Sequence, residues 1–230
     1  MIIINGKRFK TNIIEMLDDT IVSKTSSKLP KCDVSITKSE LGAKKVFICG
    51  NVNKIKIGSK NSPSFSIHLS GNLDKHADVL MTVKVFNGEI NVFVECQEEN
   101  NLLVLEMVLP SSIENLFLQS DTSNIYISSS VNVKLLHIDN KTGTIDSRAS
   151  LDDLYIDSDS GEIFADIHLK SNTHISIYTK SGNISIHIFN AISTNLLTYT
   201  NSSLKESQKL EGKYLIYGSV TSQTGNIKIR

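Results

Sequence analysis

Two sets of side chains in this sequence could carry chemistry. The first is acidic: Asp152, Asp153, Asp157, Asp159, Glu162 and Asp166. It suggests a calcium site, or the paired carboxylates of a carbohydrate-active enzyme on a pectin-lyase-like scaffold. Calcium needs about six to eight oxygens converging on one point, and the glycine-rich nonapeptide that supplies them in calcium-binding repeats is missing. Polysaccharide cleavage calls for a basic residue beside the acids, yet Arg148 is the sole arginine between Arg8 and Arg230. The second set is the histidines, His68, His76, His137, His168, His174 and His187. His137, His168 and His187 each stand between apolar residues, so alternation turns them outward. Their offsets from the repeat anchors described below all differ, which argues against one shared zinc set. No phosphate loop, dinucleotide fingerprint, nucleophile elbow or paired-histidine zinc helix is present. The sequence therefore predicts no catalytic residue, no metal ligand and no cofactor.

What remains for recognition is aromatic. Phe117, Tyr126, Tyr155 and Phe164 lie on outward parity in their segments. They form a candidate exposed binding stripe, or else a surface that packs under a neighbouring segment or a second subunit.

These residues sit within a recurring phrase. Leu136-His-Ile138 followed by Thr142-Gly143-Thr144-Ile145 returns as Leu154-Tyr-Ile156 with Ser160-Gly161-Glu162-Ile163, and as Ile175-Ser-Ile177 with Ser181-Gly182-Asn183-Ile184. Its last appearance is Val220 with Thr224-Gly225-Asn226-Ile227. The anchors Ile125, Ile145, Ile163, Ile184, Leu204 and Ile227 are 20, 18, 21, 20 and 23 residues apart, a solenoid period. Seven residues before each anchor stands Leu118, Ile138, Ile156, Ile177, Leu197 or Val220, all apolar. Apolar residues two apart are the signature of a strand with one buried face. The glycine two before the anchor (Gly143, Gly161, Gly182, Gly225, with Ser123 and Ser202 elsewhere) marks a corner needing positive φ or close backbone approach. The column Thr122, Thr142, Ser160, Ser181, Asn201, Thr224 predicts a polar ladder. Asp121, Lys141, Asp159 and Lys180 predict alternating charge between successive coils, while Asp139 and Asp157 become like-charged neighbours. The expected architecture is all-β: a parallel β-solenoid, like a single-stranded β-helix of about 20 residues per coil, over residues 111–230, with a more irregular β region over 1–110 and no linker between them.

In the first half, Asn5-Gly6 predicts a hairpin over residues 2–9, Asn12 to Asp19 has helical spacing, and Lys24 to Lys31 reads as a loop. Val83 to Ile90, with Gly88 two before Ile90, reads as an earlier copy of the phrase. The run ending near Glu95 and the run Leu103 to Leu109 read as a hairpin. At the other end, Lys228 and Arg230 on the last strand are expected to discourage edge pairing, unless Lys205 to Tyr217 cover that end.

The run Leu103-Val-Leu-Glu-Met-Val-Leu-Pro110, then Leu116-Phe-Leu118, then the Thr/Ser-Gly-x-Ile turns resembles the bacterial putative adhesin domains of unknown function, including the related head-type putative auto-transporter adhesin domains. The resemblance spans about residues 80 to 230. It implies a parallel β-solenoid with an adhesin label and no catalytic residues to carry over.

Composition sets further bounds. The 230 residues carry 24 Lys plus Arg against 24 Asp plus Glu, so no global charge draws nucleic acid or an anionic membrane. Cys32, Cys49 and Cys96 have no metal-ligand spacing and are odd in number, which fits a reducing compartment. The longest apolar run is far short of a span, so no membrane insertion is expected. No signal peptide is visible at Met1, which predicts a cytoplasmic protein, or a surface or secreted one if a leader has been removed. The leading expectation is a non-catalytic, adhesin-like module binding an unknown protein or glycan. A cytoplasmic self-associating scaffold is the alternative, and a carbohydrate-active enzyme the third.

Overall fold

Period-two alternation dictates strands, and strands are what the chain forms. The computed structural model describes residues 13–17, 20–25, 31–39, 42–72, 78–96, 102–201, 205–206 and 212–230, among which there are 21 strands and no helix. The first nine are β1 (Ile13–Leu17), β2 (Thr20–Thr25), β3 (Lys31–Ser39), β4 (Lys45–Gly50), β5 (Lys54–Lys60), β6 (Ser64–Asn72), β7 (Val79–Phe86), β8 (Glu89–Cys96) and β9 (Leu102–Pro110). Then come β10 (Asn115–Ser120), β11 (Asn124–Ile127), β12 (Leu135–Thr142), β13 (Ile145–Ser147), β14 (Asp153–Ser160), β15 (Ile163–His168), β16 (Thr173–Ser181) and β17 (Ile184–Phe189). The last four are β18 (Ala191–Thr200), β19 (Lys205–Glu206), β20 (Tyr214–Ser222) and β21 (Ile227–Ile229).

The strands form two mixed sheets. The first runs β1-β2-β7-β8-β4-β10-β12-β14-β16-β20-β18, and the second β19-β21-β17-β15-β13-β11-β5-β9-β6-β3. From β10 to β17 the chain alternates between them, and within each sheet these strands pair in parallel. The recurring phrases thus lie side by side in register. Ile125, Ile145, Ile163, Ile184 and Ile227 form one buried column in the second sheet. Leu118, Ile138, Ile156, Ile177 and Val220 form another in the first. Each such isoleucine or leucine contributes about 1.5–3 kcal/mol by leaving water. The columns continue into the first half of the chain, because β10 pairs with β4 and β11 with β5. One hydrophobic cluster runs from Ile21 to Ile229.

The glycine corners obey both stated constraints. Gly143, Gly161 and Gly182 have φ of +111°, +131° and +146°. A Cβ on Gly161 would lie 2.1 Å from the Gly143 carbonyl oxygen, and one on Gly182 1.9 Å from that of Gly161. Inside the same corner lies a buried polar column that sequence reading passed over: Ser120, Asn140, Ser158, Thr179 and Ser222. Asn140, Ser158, Thr179 and Ser222 donate to corner carbonyls, and Ser120 to the Ser123 hydroxyl. Asn140 Nδ2 donates to Ser123 O at 3.0 Å and Thr142 O at 2.8 Å, and Ser222 Oγ donates to Gly182 O at 2.7 Å. Two members of the outer Thr/Ser column bond likewise to backbone, Thr142 Oγ1 donating to Asp121 O at 3.1 Å and Thr224 Oγ1 to Lys180 O at 3.3 Å.

Several expectations are corrected. The helix over Asn12 to Asp19 is overturned: residues 13–17 are β1, which pairs with β2, because cross-strand pairing overrides weak local periodicity. Part of the loop expected at Lys24 to Lys31 is strand, with Lys24 and Thr25 in β2 and Lys31 in β3. Val83 to Ile90 is no corner but an antiparallel hairpin of β7 and β8. Its Asn87-Gly88 turn has φ of +50° and +75°, the conformation that two-residue hairpins favour. The run ending near Glu95 and Leu103 to Leu109 do not pair, since β8 and β9 belong to different sheets. Leu197 does not join its column. It pairs with Ser219 and is 75% exposed, because β18 aligns Thr198 with Val220. Finally, β20 and β21 insert between β16/β17 and β18/β19, so Ile184 pairs directly with Ile227. The hairpin expected over residues 2–9, and the positions of His76, Ser202 and Leu204, lie outside the described residues.

Candidate recognition face

Strand alternation sends every second residue of the first sheet to its outer face, and parallel register lines these residues up across the strands. Phe47 on β4, Phe117 on β10, His137 on β12 and Tyr155 on β14 fall into one row. The row steps sideways to His174 on β16 and Tyr217 on β20, which pair with each other. Ring centroids are 6.1 Å apart for Phe117 and His137, 6.0 Å for His137 and Tyr155, 5.4 Å for Tyr155 and His174, and 5.3 Å for His174 and Tyr217. At the other end Phe47 meets Phe93 of β8 at 6.0 Å, tilted by 50°. Seven rings on seven strands span roughly 29 Å at a strand spacing of about 4.8 Å. Tyr155 and Tyr217 are 36% and 45% exposed.

Carboxylates flank the middle of this ladder. Asp153 and Asp157 lie two residues either side of Tyr155, and Asp139 pairs with Asp157 across β12 and β14. His174 Nδ1 is 4.0 Å from Asp153 Oδ1. The three outward positions beside the ladder on each of β10, β12, β14 and β16 hold Asn115, Phe117, Gln119; Leu135, His137, Asp139; Asp153, Tyr155, Asp157; and His174, Ser176, Tyr178. None is lysine or arginine. The nearest lysines stand at the rims, Lys141 paired with Asp121 at 2.7 Å and Lys180 with Asp159 at 3.2 Å, as the alternating-charge column predicts. At the opposite rim, Lys45 pairs with Glu89 at 3.0 Å.

The four aromatics predicted as one stripe divide between the two sheets. Phe117 and Tyr155 belong to the ladder. Tyr126 and Phe164 stand on the outer face of the second sheet, where charge is locally matched. Lys54 Nζ sits 5.0 Å over the Tyr126 ring. Arg148 makes two bonds to Asp146, at 3.2 and 3.1 Å, and lies 3.9 Å from Asp166, which also meets His187 Nδ1 at 3.0 Å. A shallow cleft of about 340 Å³ lies among Lys56, Tyr126, Ser128, Ser129, Asp146 and Arg148, its cations already held by Glu106 and Asp146.

The acidic set does not converge. Asp153, Asp157 and Asp159 face outward from β14, Asp166 belongs to β15, and Asp152 accepts a hydrogen bond from Ser171 Oγ. Among the described residues no group of three or more His, Cys, Asp or Glu side chains is placed to hold a metal ion. Sequence reading missed Phe47, Phe93, His174 and Tyr217 as ladder members and turned His137 outward without joining it to the aromatic stripe. The recurring position between the two apolar residues of each phrase signalled Phe117, His137 and Tyr155. Nothing local signalled Phe47, which reaches the row through pairing of strands 70 residues apart.

No protein-family model matches the chain, and no curated relative matches it. Solved structures do match. A putative cell adhesion protein from Clostridium sporogenes is 12% identical, with 86% of this chain and 99% of the other covered and a TM-score of 0.47. A putative adhesin from Bacteroides fragilis is also 12% identical, over 86% and 97%, with a TM-score of 0.42. A putative lipid binding protein from Parabacteroides distasonis shares 12% identity over 87% and 96%, with a TM-score of 0.37.

Proposed function

We propose that this chain is a non-catalytic, adhesin-like binding module, a parallel β-solenoid with a more irregular N-terminal β region, whose recognition face is the outer surface of the first sheet. The ladder from Phe93 to Tyr217 carries this reading. Aromatic side chains are large contact surfaces at low entropic cost, and a contiguous outward-facing row of them, half-buried at Phe93, Phe47, Phe117 and His174 and exposed at His137, Tyr155 and Tyr217, is a surface for a partner. The partner is a glycan or protein met outside the cell.

The test is adhesion of beads coated with the purified protein to immobilised glycans and matrix proteins. Wild type is expected to bind at least one surface, and Phe117→Ser/Tyr155→Ser/Tyr217→Ser to bind it at least about tenfold less, a loss of roughly 1.4 kcal/mol. Equal binding by the triple variant would overturn the assignment of the face. Fractionation of producing cells is expected to recover the protein at the surface or in the medium. Exclusive cytosolic recovery would favour a second reading, a self-associating scaffold, which rests on β18: this strand closes the first sheet among the described residues, carries no charge, and exposes Leu197 and Tyr199.

A further inference from the structure

The chemistry around the ladder narrows its ligand, on the premise that the ladder is the recognition face. Three features act together. The rings offer flat apolar contact in steps of about one strand spacing. Asp139 and Asp157, both exposed, flank Tyr155 and His137, and neither has an ion-pair partner within 4.0 Å among the described residues. The outward positions of β10 to β16 beside the rings contain no cation, and the rim lysines are paired with other carboxylates. Aromatic faces and carboxylates together attract cations, the rings through their quadrupoles and the acids through their charge. An anionic polymer would meet like charge over β12 and β14, because the cations of this face stand away from them, Lys45 on β4 and Lys84 on β7.

A cationic peptide fits less well than a cationic sugar. The backbone N–H and C=O groups of β12, β14 and β16 are consumed in their parallel ladders, so this face offers a peptide main chain no pairing. Its amides would lie against rings without partners, which is unfavourable. A sugar chain has no such obligation. Its C–H faces stack on rings, and its hydroxyl and ammonium groups donate to acceptors such as Asp139, Asp157, Gln119 and Ser176. We infer that the ladder binds a polysaccharide carrying free amino groups, a polymer of amino sugars, with Tyr155 as the central stacking ring and Asp139 and Asp157 as acceptors for its ammonium groups.

Titration calorimetry of the full chain at mildly acidic pH, where the sugar amines are protonated and the aspartates still ionised, compares four probes: a β-linked glucosamine hexamer, its fully N-acetylated form, a neutral glucose hexamer and a short poly-lysine. The glucosamine hexamer is expected to bind at least about tenfold more tightly than the acetylated or neutral forms, the scale of one desolvated cation–ring contact, and to weaken as salt is added. Asp139→Asn/Asp157→Asn, surface changes that leave the core intact, is expected to remove that preference. Equal or tighter binding of the acetylated or neutral hexamer, or a preference unchanged in the double Asn variant, overturns the amino-sugar assignment while leaving the ladder as a glycan face. Preference for poly-lysine overturns it in favour of a peptide ligand. Absence of binding to every probe also overturns it, and the bead-adhesion result with the triple ring variant decides separately whether the face is used at all.

Discussion

At the scale of single residues, the corners are the least forgiving positions. Gly161 holds φ of +131° with the Gly143 carbonyl 2.1 Å from where a Cβ would be. Gly161→Ala is therefore expected to destabilise by at least about 1–3 kcal/mol, read as a lower urea midpoint with unchanged slope. Gly42 has φ of +96° but nothing within 4 Å of its Cβ position, so Gly42→Ala isolates the conformational part and should cost less. Asn140 is the other sensitive site. It is fully buried, donates to two carbonyls, and its own Oδ1 has no partner. Asn140→Leu leaves both carbonyls without that donor and is expected to cost about 1–3 kcal/mol. Asn140→Ser keeps a hydroxyl like those at Ser120 and Ser158 in the same column and should retain more stability, as thermal denaturation of the pair would show.

At the scale of elements, the ends of neighbouring strands are clamped by carboxylates. Glu114, just before β10, accepts from Lys134 Nζ at 2.7 Å and from Lys44 Nζ at 2.6 Å, residues that precede β12 and β4. The Lys134 and Lys44 bonds hold its carboxyl down to about 2, from an ordinary value near 4.5. Glu106 is lowered first by its bond to Lys56, and Asp121 by its bond to Lys141. Groups with depressed folded-state values bind fewer protons folded than unfolded. Their contribution is complete above the unfolded value and is lost as pH falls through the folded one. Stability is thus expected to stay level from about pH 7 to about pH 5 and to fall between about pH 4.5 and about pH 2, as urea unfolding at stepped pH would reveal. Glu114→Gln should make that fall shallower. These pairs are exposed, so high salt should weaken them.

At the scale of the molecule, the order of the final strands decides where the sheets end. Because β20 and β21 insert next to β16 and β17, Lys228 lies on a strand flanked by β17 and β19 and does not guard an open end. The physical reason is at the corner. A residue stacked directly on Gly182 would bring its Cβ to 1.8 Å from the Gly182 carbonyl oxygen, so that place requires glycine, which Gly225 supplies and Ser202 does not. Among the described residues the first sheet instead ends on β18, with Leu197 75% and Tyr199 59% exposed, and the adjoining β20 exposes Leu215 and Tyr217 nearer the start of β18, opposite Ser193 and Asn195. If this end joins two copies, Leu197→Lys/Tyr199→Lys should shift sedimentation from dimer or larger species to monomer, by like-charge repulsion at the edge. A wild type monomeric at high concentration would rule out the scaffold reading.

The sequence by itself determined what depends on neighbours along the chain. The alternation around Ile138, Ile156 and Ile177 set strands and buried faces. The recurrence of Gly143, Gly161 and Gly182 at one offset set the corners, and Asp121, Lys141, Asp159 and Lys180 set the register of charge. What depends on pairing between distant segments was decided by the tertiary structure. The same Asn-Gly and apolar pattern at Val83 to Ile90 suits either a corner or a hairpin, and packing against β2 and β4 selects the hairpin. The rings of Phe47, Phe117, His137, Tyr155, His174 and Tyr217 become one surface through parallel register across six strands. That register is set by which strands find each other in the core, and no local pattern encodes it.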